Sequence, residues 1–174
     1  IDRSLVGSEM CIRDSPRGVT TSYGDGVYKS IDSGETWEHI GLEETQQISR
    51  IIIHPEDPNV VFVAAQGAVN GPTKERGIYK SIDGGKTWSN VLFVNQLTGA
   101  SELSIDYNNP QILYATMWKH QRLPWQVISG GQGDGVYKSI DGGNNWFKIE
   151  NGLPSELGKM AISVSRANSD KVFL

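Results

Sequence analysis

The sequence predicts an all-β protein, part of a β-propeller built from four-stranded antiparallel blades, and three observations predict it. Three segments repeat almost letter for letter: GVYKSIDSGETW from Gly26 to Trp37, GIYKSIDGGKTW from Gly77 to Trp88 and GVYKSIDGGNNW from Gly135 to Trp146, with starts 51 and 58 residues apart. A second signature keeps that period: SRIIIHPEDPNVVFVA from Ser49, ELSIDYNNPQILYAT from Glu102 and AISVSRANSDKVFL from Ala161. Aligning Ile53 with Ile105 and Val164 gives steps of 52 and 59. Two signals in phase near 50 residues mark a repeat architecture. The third observation is that each period holds four short β-branched runs and no sustained helical period.

In the second repeat the strands read as Ile48 to Ile53 (strand A), Val60 to Ala65 (B), Gly77 to Ile82 (C) and Thr87 to Phe93 (D). Strands A and B are joined at His54-Pro55-Glu56-Asp57-Pro58-Asn59, where the prolines cannot donate to a ladder and so close the strand. Tyr107-Asn108-Asn109-Pro110 is the same turn one period later. The apolar runs IIIH and VVFVAA are those expected of inner strands sandwiched between neighbouring blades. The expected organisation is a partial propeller over 16–174: the end of one blade at 23–41, complete blades at 48–93 and 102–149, and the start of a further blade at 160–174. A stop inside strand B at Leu174 would leave strand edges unpaired, so the chain reads as a fragment whose partners include the remaining blades.

The 174 residues carry a net charge of −4 with both signs interspersed. No basic stripe of the kind that neutralises phosphates is present, so nucleic acid is not an expected partner. No apolar run reaches the ~20 residues of a transmembrane helix. The single cysteine, Cys11, has no internal disulfide partner, and no Cys/His set has zinc spacing. No cofactor motif is present, so no cofactor is expected. The stretch Ile1 to Ser15 fits neither the repeat nor a signal peptide. It resembles a spurious translation of sequencing-adapter DNA and is expected to be a non-native leader.

Within each copy a Ser-x-Asp-x-Gly-x-x-Trp motif spans the C to D turn: Ser30, Asp32, Gly34 and Trp37; Ser81, Asp83, Gly85 and Trp88; Ser139, Asp141, Gly143 and Trp146. Ser and Asp side chains can bond turn backbone, Gly supplies a positive φ, and Trp can lie across the hairpin. A calcium loop needs alternating oxygen ligands and a distant Glu, and that spacing is missing. A residue repeated in every blade also points to several places around a ring, whereas an active site is one place. The motif is therefore expected to be architectural, with no catalytic residue and no metal assigned.

These residues resemble the Asp-box (bacterial neuraminidase repeat) propellers, a group that includes sialidases, xyloglucan hydrolases and the Vps10/sortilin ectodomains. The chain is most similar to bacterial sortilin N-terminal (Vps10) and "glycosyl hydrolase" repeat proteins. The likeness rests on GDGVYKSIDSGETW, HPEDPNVVFVAAQG, GPTKERGIYKSIDGGKTW and MWKHQRLPWQVISGGQGDGVYKSIDGG, and it covers residues 17–174. The resemblance implies a secreted or periplasmic propeller. It does not fix an activity, because fold does not dictate function.

The B to C connections are unequal: Gln66 to Arg76 in one repeat and Trp118 to Asp134 in the next. Trp118, His120, Arg122 and Trp125 in the longer one form the candidate ligand-binding cluster, since aromatic faces and a guanidinium suit sugars or peptides. Alternatively Trp118 ends strand B as core and Trp125 covers an inter-blade groove. Glycosidase chemistry needs two carboxylates ~5 to 9.5 Å apart. Asp25, Glu75 and Asp134 could share a face, yet Asp25 and Asp134 fill one repeat position, which favours a turn role. His54 is expected in the A to B turn and His39 at the exposed end of strand D. The function expected is a non-catalytic propeller binding a peptide, protein or glycan through one face, with a glycoside hydrolase acting on polysaccharide as the alternative.

Overall fold

The computed structural model describes residues 23–174, and the leader expected at Ile1 to Ser15 lies outside them. A hairpin of β1 (Tyr28–Lys29) and β2 (Glu38–His39) comes first, followed by one 3-10 turn at Glu43–Thr45. A four-stranded antiparallel sheet follows, made of β3 (Ile48–Ile53), β4 (Val61–Ala65), β5 (Gly77–Ser81) and β6 (Ser89–Leu92), in that spatial order. The next sheet holds β7 (Thr98–Ile105), β8 (Leu113–Leu123), β9 (Gln126–Ser129), β10 (Gly135–Ser139) and β11 (Phe147–Ile149). Its path is β7-β8-β10-β11, with β9 paired to the far end of β8. A last hairpin is formed by β12 (Ser163–Val164) and β13 (Val172–Phe173). The described residues thus form part of an all-β propeller, each sheet meandering in sequence order.

Alternation along the strands explains how the sheets stack. In β4, Val61, Val63 and Ala65 face the first hairpin, where they meet Val27 and Tyr79 with Ile40 and Trp88 against them. Phe62 and Ala64 point the other way and pack with Ile52 and Ile78 on Leu103, Ile105, Leu113, Ala115 and Met117 of the next sheet. Tyr114 and Val136 on its far face meet Ile162 and Val164. Each buried Leu or Ile in these layers contributes ~1.5–3 kcal/mol.

Strand A is less covered in the first complete sheet than its apolar run predicts. Leu103 and Ile105 are each 1% exposed, whereas their counterparts Ile51 and Ile53 are 45% and 57% exposed. All four face the preceding blade. Among the described residues the strands of that blade are β1 and β2, which cover β4 and Ile48 at the start of β3 and leave Ile51 and Ile53 bare.

The observed strands fall within about two residues of those expected in this sheet. In the next one β7 begins at Thr98, ahead of the expected 102. A larger difference is the expected loop after Trp118: β8 runs on to Leu123, and β9 folds back on it as a β-hairpin pairing His120 with Ser129 and Leu123 with Gln126. Long side chains in HQRLPWQV and few glycines hid that hairpin. Among the described residues no helix is long and apolar enough to cross a membrane.

Candidate functional site

A cleft of about 620 Å³ opens where the first residues of β3 and the middle of β7 meet the extended end of β8. Its floor is made by two β-bulges. The register shifts between Ile48 and Arg50 and again between Ala100 and Glu102, which turns Ser49 and Ser101 out of the ladder. Ser49 Oγ donates to the Ala100 carbonyl at 2.8 Å, its one proton shared with the Ala64 carbonyl at 3.1 Å, and Ser101 Oγ reaches the Met160 carbonyl at 3.3 Å. The bulges therefore tie each strand A to the next one.

The extended β8 supplies the wall. Trp118, His120 and Arg122 lie on one face because strand side chains alternate with period two. The rings of Trp118 and His120 stack with centroids 4.3 Å apart, and Lys159 Nζ lies 5.8 Å from the Trp118 centroid. The indole is thus stacked by one ring and approached by one ammonium, and its Nε1 donates to Ser129 Oγ at 3.1 Å. Arg122 Nε donates to His120 Nε2 at 3.3 Å, a geometry that needs a neutral imidazole. Burial pushes the His120 pKa down, and the cations Arg122, Lys159 and Arg76 push it further. Trp125, the fourth residue expected here, sits at the hairpin tip, 75% exposed and outside the cleft.

Close approach of the neighbouring loop fixes the hairpin's position. The Arg122 amide donates to the Val69 carbonyl at 2.7 Å, and Gln66 Nε2 to the Trp118 carbonyl at 3.3 Å. A Cβ on Gly99 would collide with the Gln66 backbone, so only glycine allows this approach. The 66–76 loop is held from within by Arg76, which is fully buried and donates to the carbonyls of Gln66, Leu97, Ala68 and Gly71. Burial lowers its pKa to about 10, leaving it cationic at neutral pH, and no carboxylate is bonded to it among the described residues.

The charge balance of the cleft follows. Glu102 is its one lining carboxylate among the described residues, and Arg50 Nε holds it at 2.7 Å. Lys159 and Arg122 face the space, and Gln47 offers a buried Nε2 with no hydrogen-bond partner among the described residues. Sequence reasoning missed Gln47, Lys159 and Arg76. Arg76 was detectable as a departure: it occupies the repeat position held by Asp25 and Asp134.

The carboxylates considered for acid–base work lie elsewhere and are tied locally. Asp134 is buried and accepts the amides of Lys119 (2.6 Å) and Gly131 (3.0 Å); burial raises its pKa against those bonds. Asp25 accepts the Tyr28 hydroxyl at 2.7 Å, and Glu75 that of Tyr79 at 2.9 Å. His54 Nδ1 accepts the Glu56 amide at 3.2 Å inside its turn, and His39 stands 3.5 Å from Glu43.

The three Ser-x-Asp-x-Gly-x-x-Trp turns share one hydrogen-bond pattern. Ser30, Ser81 and Ser139 Oγ each donate to the following Asp (2.7–2.8 Å) and accept the amide of Gly34, Gly85 or Gly143. Asp32, Asp83 and Asp141 each accept a backbone amide four residues on at 2.9 Å, and also that residue's side chain, from Thr36, Thr87 and Asn145. These bonds hold Asp32 and Asp141 down at about 2 and Asp83 well below the usual carboxylate range. Trp37 and Trp146 donate to their own box glycine carbonyl at 3.1 Å, whereas Trp88 reaches across to the Ile40 carbonyl at 2.8 Å. Among the described residues no three His, Cys, Asp or Glu side chains are placed to hold a metal ion.

A family model, Sortilin-Vps10, described as sortilin, neurotensin receptor 3, matches residues 25–174. The chain belongs to the Sortilin-Vps10 family. This Sortilin-Vps10 chain is also similar to the xyloglucanase Xgh74A of Acetivibrio thermocellus, 29% identical over 139 residues, covering 72% of this chain and 15% of that protein. A second xyloglucanase Xgh74A from the same organism is 28% identical over 139 residues. The chain thus spans 15% of the length of the curated relatives it matches. Two solved structures share the fold. An ancestral GH74 enzyme superposes with a TM-score of 0.64 at 18% identity, over 85% of this chain and 18% of that one. A GH74 enzyme from Niastella koreensis superposes with a TM-score of 0.63 at 20% identity, over 84% and 21%.

Proposed function

We propose that this chain is part of a non-catalytic binding propeller that takes an anionic group of a peptide, protein or glycan ligand into the cleft beside Trp118, His120 and Arg122. The carrying observation is the unbalanced charge there: Arg122 and Lys159 face the cleft while its lining carboxylate, Glu102, is spent on Arg50. The buried guanidinium of Arg76 adds a third cation behind the wall. The unpaired Gln47 Nε2 supplies a donor that gains a partner when an oxygen ligand enters, which offsets a desolvation cost of ~1–3 kcal/mol. Trp118 acts in this reading as the support for His120, which stacks on it, and for Lys159, which approaches its ring, and Trp125 as the exposed contact at the rim. The Ser, Asp, Gly and Trp residues of the three Asp boxes serve as turn architecture. A secreted or periplasmic location accompanies this proposal.

Capture on arrays of acidic and neutral peptides and glycans tests the reading. Acidic ligands are expected to be retained, and the double variant Arg122→Glu, Lys159→Glu is expected to lose them. Equal retention of neutral ligands, untouched by that variant, would sink it. The alternative, a glycoside hydrolase acting on polysaccharide, is favoured by the similarity to a xyloglucanase. Release of reducing ends from xyloglucan, abolished by a single Asp or Glu substitution, would establish it.

A further inference from the structure

One lysine recurs in each repeat, in the Tyr-Lys-Ser that ends strand C: Lys29, Lys80 and Lys138. Two of them do the same thing. Lys29 Nζ crosses to the following blade and donates to the Gly84 carbonyl at 3.1 Å. Lys80 Nζ crosses likewise to the Gly142 carbonyl at 2.8 Å and to Asn144 Oδ1 at 2.9 Å. The glycine so gripped lies inside an Asp box, and its amide is held from the other side by its own blade. Gly84 N donates to the Asn59 carbonyl and Gly142 N to the Gln111 carbonyl, both at 2.9 Å.

Those acceptors occupy one place in the A to B turn. Val60 N bonds Asp57 O, Ile112 N bonds Asn109 O, and Lys171 N bonds Asn168 O, so Asn59, Gln111 and Asp170 are equivalent. Lys138 adopts the posture of Lys80: its Nζ lies 5.3 Å from the Tyr114 ring centroid, as that of Lys80 lies 5.7 Å from the centroid of Phe62. Among the described residues no Asp-box glycine stands between Lys138 and the Asp170 carbonyl.

We infer that Lys138 Nζ and the Asp170 carbonyl are two halves of a docking site for a further Asp-box turn, carried by the C to D hairpin of the following blade of the same polypeptide. The site selects by charge and by backbone shape. An ammonium demands a carbonyl acceptor and the Asp170 oxygen an amide donor, so one peptide unit either side of a single residue satisfies both. That residue must hold a positive φ, as Gly84 (+75°) and Gly142 (+69°) do. A side chain there would press on the lysine and the turn, since a Cβ at Gly84 lies 3.1 Å from Lys29 Nζ and one at Gly142 lies 3.0 Å from Gln111 Oε1. A source in the same polypeptide accords with this chain spanning 18% of the ancestral GH74 enzyme it superposes on.

Competitive acylation of lysines, read by mass spectrometry, tests the inference on the 174-residue chain and on the same chain lengthened by a copy of residues 64–93 after Leu174. That extension continues strand B in the register that matches Phe173 with Phe62. In the lengthened chain Lys138 is expected to react roughly tenfold more slowly than in the 174-residue chain, joining Lys29 and Lys80. Lys138→Met is expected to lower the melting temperature of the lengthened chain and leave that of the 174-residue chain unchanged. Lys138 reacting equally in both while Lys29 and Lys80 are protected would overturn the inference, as would unprotected Lys29 and Lys80 in the lengthened chain. Protection of Lys138 in the 174-residue chain that rises with protein concentration would assign the site to a second copy and overturn it as well.

Discussion

Ser81 is almost fully buried, and its hydroxyl serves three bonds at once, donating to Asp83 and accepting the amides of Asp83 and Gly85. Ser81→Ala leaves a buried amide without an acceptor and should cost about 1–3 kcal/mol in a denaturant titration. The same change at Ser30, whose Gly34 amide is open to solvent, should cost less than about 1 kcal/mol because water replaces the hydroxyl. The box aspartates give a pH signature. Folded Asp32 and Asp141 titrate near 2 and the unfolded groups near 3.8, so their stabilisation is complete above the unfolded value and drains away as pH falls towards 2. Asp32→Asn combined with Asp141→Asn should flatten melting temperature against pH across that window. His120 gives a slope of the same sign at higher pH, because the fold favours its neutral form. Its folded pKa is lowered, so stability rises with pH between that value and the unfolded 6.5, and His120→Gln should remove that slope.

Among the elements, the 66–76 loop depends on one side chain. Arg76 donates to four backbone carbonyls, one of them in a fully buried bond and three in partly buried ones. Arg76→Met should destabilise the chain by roughly 1–3 kcal/mol and speed amide exchange through the loop, because the buried Gln66 carbonyl and three partly buried ones lose their donor together. The β8–β9 hairpin leans on that loop through the Val69 carbonyl, so its exchange should quicken too. Trp125→Ala at the exposed tip should change the melting temperature little, since the side chain buries almost nothing. Any loss of ligand capture by that variant would then report contact at the rim.

Across the whole molecule, stacking sets stability. Leu103 and Ile105 are covered by the preceding sheet while Ile51 and Ile53 are not, a difference of ~1.5–3 kcal/mol per side chain once burial is complete. Each blade is therefore stabilised in part by its neighbours, as in other repeat arrays. The chain lengthened by residues 64–93 should melt at a higher temperature and more sharply than the 174-residue chain, which differential scanning calorimetry would read directly.

The repeated GVYKSIDGG text and the β-branched runs were enough to determine the strands, their antiparallel order and the phase of the blades, because turn chemistry and side-chain alternation act within a few residues. The box bonds were legible for the same reason: Ser, Asp and Gly meet within four positions. What only the tertiary structure decided lies between repeats. Trp118, His120 and Arg122 were visible as a cluster, yet the hairpin that aligns them, the approach of Lys159 to the Trp118 ring and the placing of Arg76 behind the wall depend on contacts across blades. Trp88 makes the same point, its sequence being that of its two counterparts while its Nε1 bonds a neighbouring hairpin. The lysine bridges to Gly84 and Gly142 join residues 55 and 62 positions apart, a distance over which sequence carries periodicity but no geometry.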